Sequence, residues 1–294
     1  MHILITGGTG FVGSSLTNFL LRKGYRITIL THKKNITIGG VKAISNINEI
    51  KSNEKIDGII NLAGAAISKN WSDNYKQELI TSRVNTTKEV ILLIKSLEKK
   101  PEILISASAI GYYGSQDDNI IDETSQPHNE FTSQLCHKWE SEALKAEEIG
   151  VRVCITRLGV VLGPNGGALK QMLPTFKMGI GGQIGSGKQY FSWVHIDDVI
   201  LAFSFLIENK KQSGIYNLTA PNPITNAHFT KALGKQLKRP TIFSVPSFII
   251  KTLFGEMGET LLLKGQRVLP KQLQQAGFIF KYPKINEALE SIIN

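Results

Sequence analysis

The sequence has little cysteine and no long apolar run. Its two cysteines, Cys136 and Cys154, form neither a CxxC pattern nor a metal-ligand spacing, so we expect reduced thiols rather than a disulfide framework or a metal site. The longest apolar stretch near the C-terminus, residues 242–254, is interrupted by Pro246 and Lys251 and is far shorter than the ~20 residues of a membrane-spanning helix. We therefore expect this stretch in the core, and no membrane partner.

Acidic residues are also few, 24 against 34 lysines and arginines, which gives a net charge of +10. The lysines are scattered rather than interleaved with aromatic residues on one element, so no nucleic-acid partner is expected. A positive surface attracts phosphorylated cofactors and anionic substrates. The N-terminus has no basic region followed by an apolar segment of signal-peptide length, so we expect a cytoplasmic protein. The expected oligomeric state is a monomer or a homodimer.

Apolar strand patterns alternate with helical patterns over the first half of the chain. The strand patterns cover residues 2–6, 26–31, 57–62, 103–107 and 151–157, and the helical patterns cover 11–21, 74–99 and 131–149. This alternation predicts a parallel sheet covered on both faces by helices. After residue 160 the glycine-rich segments 163–167 and 179–187 indicate loops.

We therefore predict an α/β fold, a Rossmann-type doubly wound parallel sheet with a smaller C-terminal α+β lobe on the substrate side. Residues 1–162, with about 190–218, are predicted to form the nucleotide-binding domain. Residues 163–189 and 219–294 are predicted to form the smaller domain, which closes over the carboxyl edge of the sheet.

The segment from Thr6 to Gly13 carries the strongest chemical signal, because it joins the first strand to the first helix and has glycines at 7, 10 and 13. Gly7 permits the tight turn, Gly10 lets phosphates approach, and Gly13 lets helix and strand pack. The N–H groups of the first helical turn, which includes Phe11 and Val12, then face the pyrophosphate of a dinucleotide. An ordinary strand-to-helix turn is the alternative.

The end of the second strand determines which dinucleotide fits. An acidic side chain there accepts a hydrogen bond from the free ribose hydroxyl of NAD(H). This chain has Thr31, His32, Lys33 and Lys34 instead, which favours the 2′-phosphate of NADP(H). The alternative is that the two lysines simply solvate a turn.

Several motifs resemble the extended short-chain dehydrogenases/reductases of the epimerase/dehydratase group. They are residues 61–64 (Asn-Leu-Ala-Gly) and 193–198, while residues 61–83, residues 106–114 and the tail from 255 through 270 carry the resemblance to the narrower group described next. Over nearly the whole chain the sequence resembles atypical "epimerase family" proteins, which carry a C-terminal domain of unknown function and are sometimes labelled cell-division inhibitors. No residue here argues for a division role.

The resemblance implies further cofactor contacts. Thr31 and His32 would lie at the adenosine phosphate. Leu62 and Ala63, with Gly64 beside them, would lie along the cofactor. Glu78 and Arg83 would lie near it on the following helix, and Val160 would lie beside the nicotinamide. Asn85 matches an asparagine that stabilises the active-site helix in the superfamily. The alternative is that Asn85 is simply a solvent-exposed residue of a helix.

The catalytic pair of the superfamily is missing. Its redox chemistry uses a Tyr with a Lys four residues later that lowers the pKa of the Tyr, but no tyrosine of this chain is followed by lysine at that spacing. The helical segment where the pair belongs places Thr132 and Cys136 at the two positions. Cys136 has no evident activating partner and is expected to be a buried apolar residue.

Replacement groups are available nearby. Ser108 keeps the place of the serine that orients the substrate, and Tyr112 or Tyr113 lies close enough in sequence to reach the nicotinamide edge; the alternative for the tyrosines is packing. His195 is either a general acid/base or a helix N-cap. The predicted catalytic residues are Ser108 and Tyr113.

Together these features predict an NADP-dependent oxidoreductase or epimerase acting on a small polar substrate such as a nucleotide sugar. The missing Tyr–Lys pair supports a rival, a catalytically silent NADP(H)-binding redox sensor that signals to a protein partner.

Overall fold

A computed structural model describes residues 1–31 and 39–293 of the chain. Its strands are β1 (His2–Thr6), β2 (Arg26–Leu30), β3 (Val41–Ile44), β4 (Gly58–Asn61), β5 (Ile103–Ala109), β6 (Ile120–Ile121), β7 (Arg152–Leu158), β8 (Val160–Leu162), β9 (Gln183–Ile184), β10 (Tyr190–Phe191), β11 (Trp193–His195), β12 (Gly214–Leu218), β13 (Ile224–Thr225), β14 (Ser244–Val245) and β15 (Arg267–Val268). Its α-helices are α1 (Phe11–Arg22), α2 (Asp73–Ser96), α3 (Phe131–Leu144), α4 (Gly167–Lys177), α5 (Ile196–Glu208), α6 (Asn226–Leu237), α7 (Ser247–Gly258), α8 (Lys271–Gln275) and α9 (Ile285–Ile293).

The main sheet is parallel throughout, with the order β12-β7-β5-β4-β1-β2-β3. Its side chains alternate between two buried faces, as the period of two in a strand requires. Ile3 and Ile5 pack with α1 and α5, whereas Leu4 packs with α2 and α3. Helices therefore cover both faces, and the predicted doubly wound fold is confirmed.

The direction of winding reverses between β1 and β4. From β1 the chain crosses to β2 and β3 on one side, and then returns to β4 on the other side. The loops after β1 and β4 therefore diverge at the carboxyl edge and leave a crevice, which is where open α/β sheets bind ligands.

A second hydrophobic cluster lies outside the main sheet. It joins α4, α6 and α9 around Trp193 and Phe229, both fully buried. Short strand pairs, β8 with β11 and β9 with β14, frame this part of the chain. It forms the smaller α+β lobe; the division of the chain at residues 162, 190 and 218 stays a prediction.

Three local expectations are corrected by the structure. The helix predicted over residues 131–149 ends at Leu144, and a separate 3-10 turn covers Glu147–Ile149. The strand predicted over 103–107 continues to Ala109. Residues 242–254, expected in the core, lie mostly at the surface, where Ile242 is 82% exposed.

His195 acts as the N-cap of α5. Its Nδ1 accepts a hydrogen bond from the backbone N–H of Asp197 at 3.0 Å, and its Nε2 lies 3.2 Å from the hydroxyl of Ser291. A ring nitrogen that accepts a hydrogen bond carries no proton, and burial lowers the pKa of His195 to about 4. The structure thus supports the capping role among the two alternatives for this residue.

This cap predicts a pH-dependent stability. The folded chain keeps His195 neutral, while the unfolded chain protonates it near its ordinary pKa of about 6.5, so stability falls as pH drops from about 6.5 towards 4. In His195→Asn the cap remains but nothing titrates. We expect urea unfolding free energies of this variant to decrease less between pH 7 and pH 5 than those of the wild type. His228→Asn, at an exposed position, is the control; equal decreases in all three proteins would contradict the assignment.

Candidate functional site

The turn between β1 and α1 has no room for side chains. Gly7 has φ +68°, and a Cβ on it would lie 2.8 Å from the carbonyl of Leu62 in the loop after β4. A Cβ on Gly13 would lie 2.2 Å from the carbonyl oxygen of Gly7. Glycine at both positions therefore lets the turn, the helix and the neighbouring strand approach one another closely.

The N-terminus of α1 is left open by this turn. The first N–H groups of a helix have no intrahelical acceptor, and here the N-cap is Gly10, which offers no side chain to accept from them. The first turn contains no acidic residue. Three bare N–H groups, those of Phe11, Val12 and Gly13, thus combine with the positive end of the helix dipole, an arrangement that suits a diphosphate.

The aromatic ring of Phe11 fixes the outer side of this helix end. A Cβ on Gly166 would lie 2.4 Å from the ring, and one on Gly163 would lie 2.9 Å from it. The glycine-rich segment 163–167 is therefore packed against α1 in this structure, and links the candidate site to the smaller lobe.

Polar side chains tie the carboxyl ends of the central strands together. Thr6 donates to Asn61 Oδ1 at 2.6 Å, and Asn61 Nδ2 donates to the hydroxyls of Thr87 at 2.7 Å and Ser106 at 3.3 Å. All four side chains are buried. The backbone N–H of Ala63 also donates to Thr6 at 3.2 Å, so the loop after β4 is held against β1.

Arg83 on α2 holds the next part of that loop. Its guanidinium donates to the carbonyl of Ala65 at 2.9 Å, and a Cβ on Gly64 would lie 2.9 Å from its central carbon. The ring of Trp139 lies 5.3 Å away, and burial lowers the pKa of Arg83. This arginine forms no ion pair within the described residues, so it is a partly buried cation beside the crevice.

The other residues predicted at the cofactor are distributed as follows. Thr31 directly follows β2 and is buried, Val160 begins β8 two residues after the carboxyl end of β7, and Glu78 is exposed on α2. Asn85 is exposed as well. His32 and Lys33, with Lys34, lie outside the described residues.

Ser108 and Tyr113 belong to one buried polar network, which is organised by Arg157 on β7. Ser108 donates to Glu140 Oε1 at 2.5 Å, and Arg157 donates to both oxygens of Glu140 at 2.8 and 2.7 Å. Arg157 also donates to the hydroxyl of Tyr113 at 2.9 Å, and Tyr113 donates to Asn217 at 2.7 Å.

The two predicted catalytic hydroxyls are therefore already engaged within the protein. Ser108 is 2% exposed and Tyr113 is fully buried. Burial raises the pKa of Tyr113 to about 12, so its phenol is protonated at neutral pH. In this conformation both side chains stabilise the carboxyl ends of β5, β7 and β12 rather than face the crevice.

The face of α3 towards β5 carries no acid–base pair of the usual kind. Thr132 packs against Gly111, and the thiol of Cys136 lies 3.6 Å from the carbonyl oxygen of Ala109. Burial raises the pKa of Cys136 to about 11, so its thiol is protonated and is not a nucleophile at neutral pH. Among the described residues of this face, Glu140 is the ionisable group bonded to Ser108.

Sequence reasoning missed Arg157 and Asn217, the two residues that connect this network. The signal for Arg157 was present, because an arginine within a buried apolar strand requires a partner. The pattern identifies that need but not the partner, since Glu140 lies 17 residues away on α3. Asn217 carries no such signal, because a short polar side chain at a strand end is common.

An open cleft of about 310 Å³ lies beside the loops at the carboxyl edge. It is bounded by the start of α3 at Phe131, and by Glu256, Glu259 and Lys264 from the C-terminal region. Phe131 in turn packs on Trp71 from the loop after β4, with ring centroids 5.2 Å apart. The cleft can accommodate a small polar molecule.

The parallel sheet and the glycine turn at its switch point define a Rossmann-type α/β protein. The model of the NAD dependent epimerase/dehydratase family matches residues 3–219, and the model described as a domain of unknown function (DUF1731) matches residues 245–292. The chain therefore belongs to the NAD dependent epimerase/dehydratase family, and the predicted family resemblance is confirmed.

Relatives match along the full length. The chain is 39% identical to the chloroplastic epimerase family protein SDR39U1 homolog of Arabidopsis thaliana, covering 100% of this chain and 87% of that one. It is 41% identical to an epimerase family protein of Staphylococcus aureus strain MRSA252, covering 99% and 98%.

Solved structures match as well. The human epimerase family protein SDR39U1 (isoform 2), crystallised with NADPH, is 31% identical with a TM-score of 0.90, covering 99% of both chains. A nucleoside-diphosphate sugar epimerase from Corynebacterium glutamicum is 30% identical with a TM-score of 0.80, covering 100% of this chain and 58% of that one.

The buried network makes a stability prediction. Glu140→Gln removes the carboxylate that neutralises Arg157 and leaves a buried charge unpaired, which costs about 3–5 kcal/mol. Glu102→Gln breaks only a surface pair with Lys210, between side chains that are 52% and 75% exposed, and is expected to cost less than about 1 kcal/mol. Chemical denaturation gives the free energy of unfolding of both variants. Equal losses of unfolding free energy would contradict the predicted contribution of the Glu140–Arg157 pair.

Proposed function

We propose that this protein binds NADP(H) at the β1–α1 turn and acts as an oxidoreductase or epimerase on a small polar substrate. The observation that carries the proposal is the bare N-terminus of α1, held by Gly7 and Gly13 at the switch point of the sheet. Glycines at 7, 10 and 13 place no side chain beyond Cα where a pyrophosphate would approach the N–H groups of α1. When bound, the nicotinamide supplies reversible hydride transfer.

The choice of NADP(H) over NAD(H) rests on the residues after β2. Thr31 is followed by His32, Lys33 and Lys34, and no carboxylate is available there to bind a free ribose hydroxyl. The human relative crystallised with NADPH supports the same choice. The proposed cofactor contacts are those expected from the sequence: Gly7, Gly10, Phe11, Val12, Gly13, Thr31, His32, Lys33, Leu62, Ala63, Gly64, Glu78, Arg83 and Val160.

The proposed substrate is anionic, and a nucleotide sugar is the favoured class. The chain carries a net charge of +10, which raises the local concentration of phosphorylated molecules. The similarity to the nucleoside-diphosphate sugar epimerase of Corynebacterium glutamicum points the same way. The proposed place for this substrate is between the carboxyl edge of the sheet and the 160–190 and C-terminal segments. The cleft beside Phe131 is lined by Glu130, Glu256 and Glu259 together with Lys264, so an anionic group is not placed there.

Ser108 and Tyr113 remain the proposed catalytic groups of this reaction. Because both hydroxyls are buried and hydrogen-bonded, the proposal requires that substrate binding opens the network around Arg157. The proposed location is the cytoplasm, in keeping with two buried cysteines that form no disulfide.

The same burial favours a second candidate function. A protein that binds NADP(H) without turnover needs no exposed proton donor. The hydrogen-bond network that runs from Ser108 through Arg157 to Asn217 also continues to the carbonyl of Leu269 in the C-terminal region. Such a chain of contacts suits a sensor that reports the cofactor's redox state to a protein partner.

The glycine turn gives a binding prediction. In Gly13→Ala the new methyl group collides with the backbone of Gly7, so the turn must open and NADPH affinity should fall at least about tenfold, or 1.4 kcal/mol. Gly24→Ala, which has φ +81° and open space around it, introduces backbone strain of about 1–2 kcal/mol away from the crevice. This control should keep wild-type affinity in a fluorescence titration with NADPH. Undiminished binding by the Gly13 variant would contradict the assigned site.

Paired substitutions separate the two candidate functions. Ser108→Ala and Tyr113→Phe each remove one hydroxyl. For an enzyme that uses these groups, turnover with a panel of nucleotide sugars should fall about 10²–10⁴-fold, while NADPH affinity changes little. Thr81→Ala, at a half-buried position of α2 whose hydroxyl bonds to a carbonyl of its own helix, is the control. No turnover by the wild type, together with tight NADPH binding, would instead favour the sensor.

A further inference from the structure

The largest discrepancy between sequence and structure is the exposure of residues 242–254. Ile242 is 82% exposed, Phe243 52% and Phe248 69%, whereas Ile250 is buried. Exposed large apolar side chains are unremarkable singly, but a contiguous group of them marks an interaction surface.

A second apolar segment lies against the first. β9 pairs with β14, and a Cβ on Gly182 would fall 1.9 Å from the carbonyl oxygen of Phe243. Arg239 donates to the carbonyl of Lys177 at 2.9 Å. Met178 and Ile180, 65% and 55% exposed, therefore lie on a segment adjoining Ile242. We name the surface formed by Met178, Ile180, Ile242, Phe243 and Phe248 the apolar lobe face.

The segments that carry the apolar lobe face contain cations and, up to residue 255, no carboxylates; Glu256, further along α7, pairs with Lys76. Neither residues 149–196 nor residues 209–255 include an aspartate or a glutamate. Lys177, Lys235 and Lys238 form no ion pair within the described residues, while Lys251 pairs with Glu259. Free positive charges therefore flank an exposed apolar surface.

This combination distinguishes between possible occupants. Protein–protein interfaces are enriched in aromatic residues, Met and Arg and depleted in Lys. Phe243, Phe248 and Met178 therefore suit either kind of occupant, and the discriminating feature is that the flanking charges are mainly lysine. A peripheral membrane contact combines apolar side chains such as Phe and Leu at the acyl boundary with lysines that meet anionic headgroups, so the lysine-rich flanks favour this occupant. No helix in the described ranges is long and apolar enough to cross a bilayer, and a surface contact does not require one.

We propose that the apolar lobe face docks on a membrane surface that contains anionic phospholipids. Ile242, Phe243 and Phe248 enter the boundary between headgroups and acyl chains, and Lys177 and Lys238 contact lipid phosphates. This revises the expectation of no membrane partner, which concerned spanning segments. The docking does not depend on the proposed cofactor site, because the two lie on different parts of the fold.

Flotation with lipid vesicles tests the proposal. The full chain should float with vesicles of phosphatidylglycerol and phosphatidylcholine, remain unbound with phosphatidylcholine alone, and be released at high salt. The double variant Ile242→Ser, Phe248→Ser should reduce the bound fraction at least about tenfold, since both side chains are exposed and their loss leaves the core intact. Ile279→Ser, at an 86% exposed position between α8 and α9, should float like the wild type.

Three results would overturn the proposal. They are an absence of wild-type flotation with anionic vesicles, unchanged flotation of the double variant, and a concentration-dependent dimer in sedimentation velocity that the double substitution abolishes while vesicles do not bind. The last result would assign the surface to a second copy of the chain. Thermal unfolding and NADPH titration of each variant, both expected at wild-type values, separate a failure of docking from a failure of folding or of the cofactor site.

Discussion

The close approach of the β1–α1 turn to the loop after β4 is the constraint on which the site depends. Gly13 packs on the carbonyl of Gly7, and Gly7 packs on the carbonyl of Leu62, at separations that leave no space for a Cβ. Because the N-cap of α1 is Gly10, the first N–H groups of this helix have no side-chain acceptor. An anion of the size of a diphosphate is the natural complement.

The second organising interaction is the buried pair of Glu140 and Arg157. The guanidinium bonds both carboxylate oxygens and lies 3.3 Å from the centre of the Tyr112 ring. It also holds Tyr113, and the carboxylate holds Ser108. The positions expected for the Tyr–Lys pair of the superfamily, Thr132 and Cys136, are thus on the same helix as Glu140, which is fully paired with Arg157. The proposed catalytic function requires this pair to open, whereas the proposed sensor function does not.

Much of the fold could be predicted, because parallel strands buried on both faces have continuous apolar sequences such as residues 2–6 and 103–107. The glycine turn was also predictable, since its spacing has a local steric cause. β3 was not recognised, because only Ile44 of its four residues is buried. The partners of Ser108 were not predicted either, as Glu140 and Arg157 meet only through tertiary packing. The exposure of residues 242–254 was misjudged because apolarity alone does not reveal which side of a segment the rest of the chain covers.

The most direct test of the account is calorimetric titration of the wild-type chain with NADPH and with NADH at one salt concentration. Bare amides at α1 predict that both dinucleotides bind, and the basic residues after Thr31 predict that NADPH binds at least about tenfold more tightly, a difference of 1.4 kcal/mol. Absence of heat with either dinucleotide would contradict the assignment of the β1–α1 turn as a pyrophosphate site.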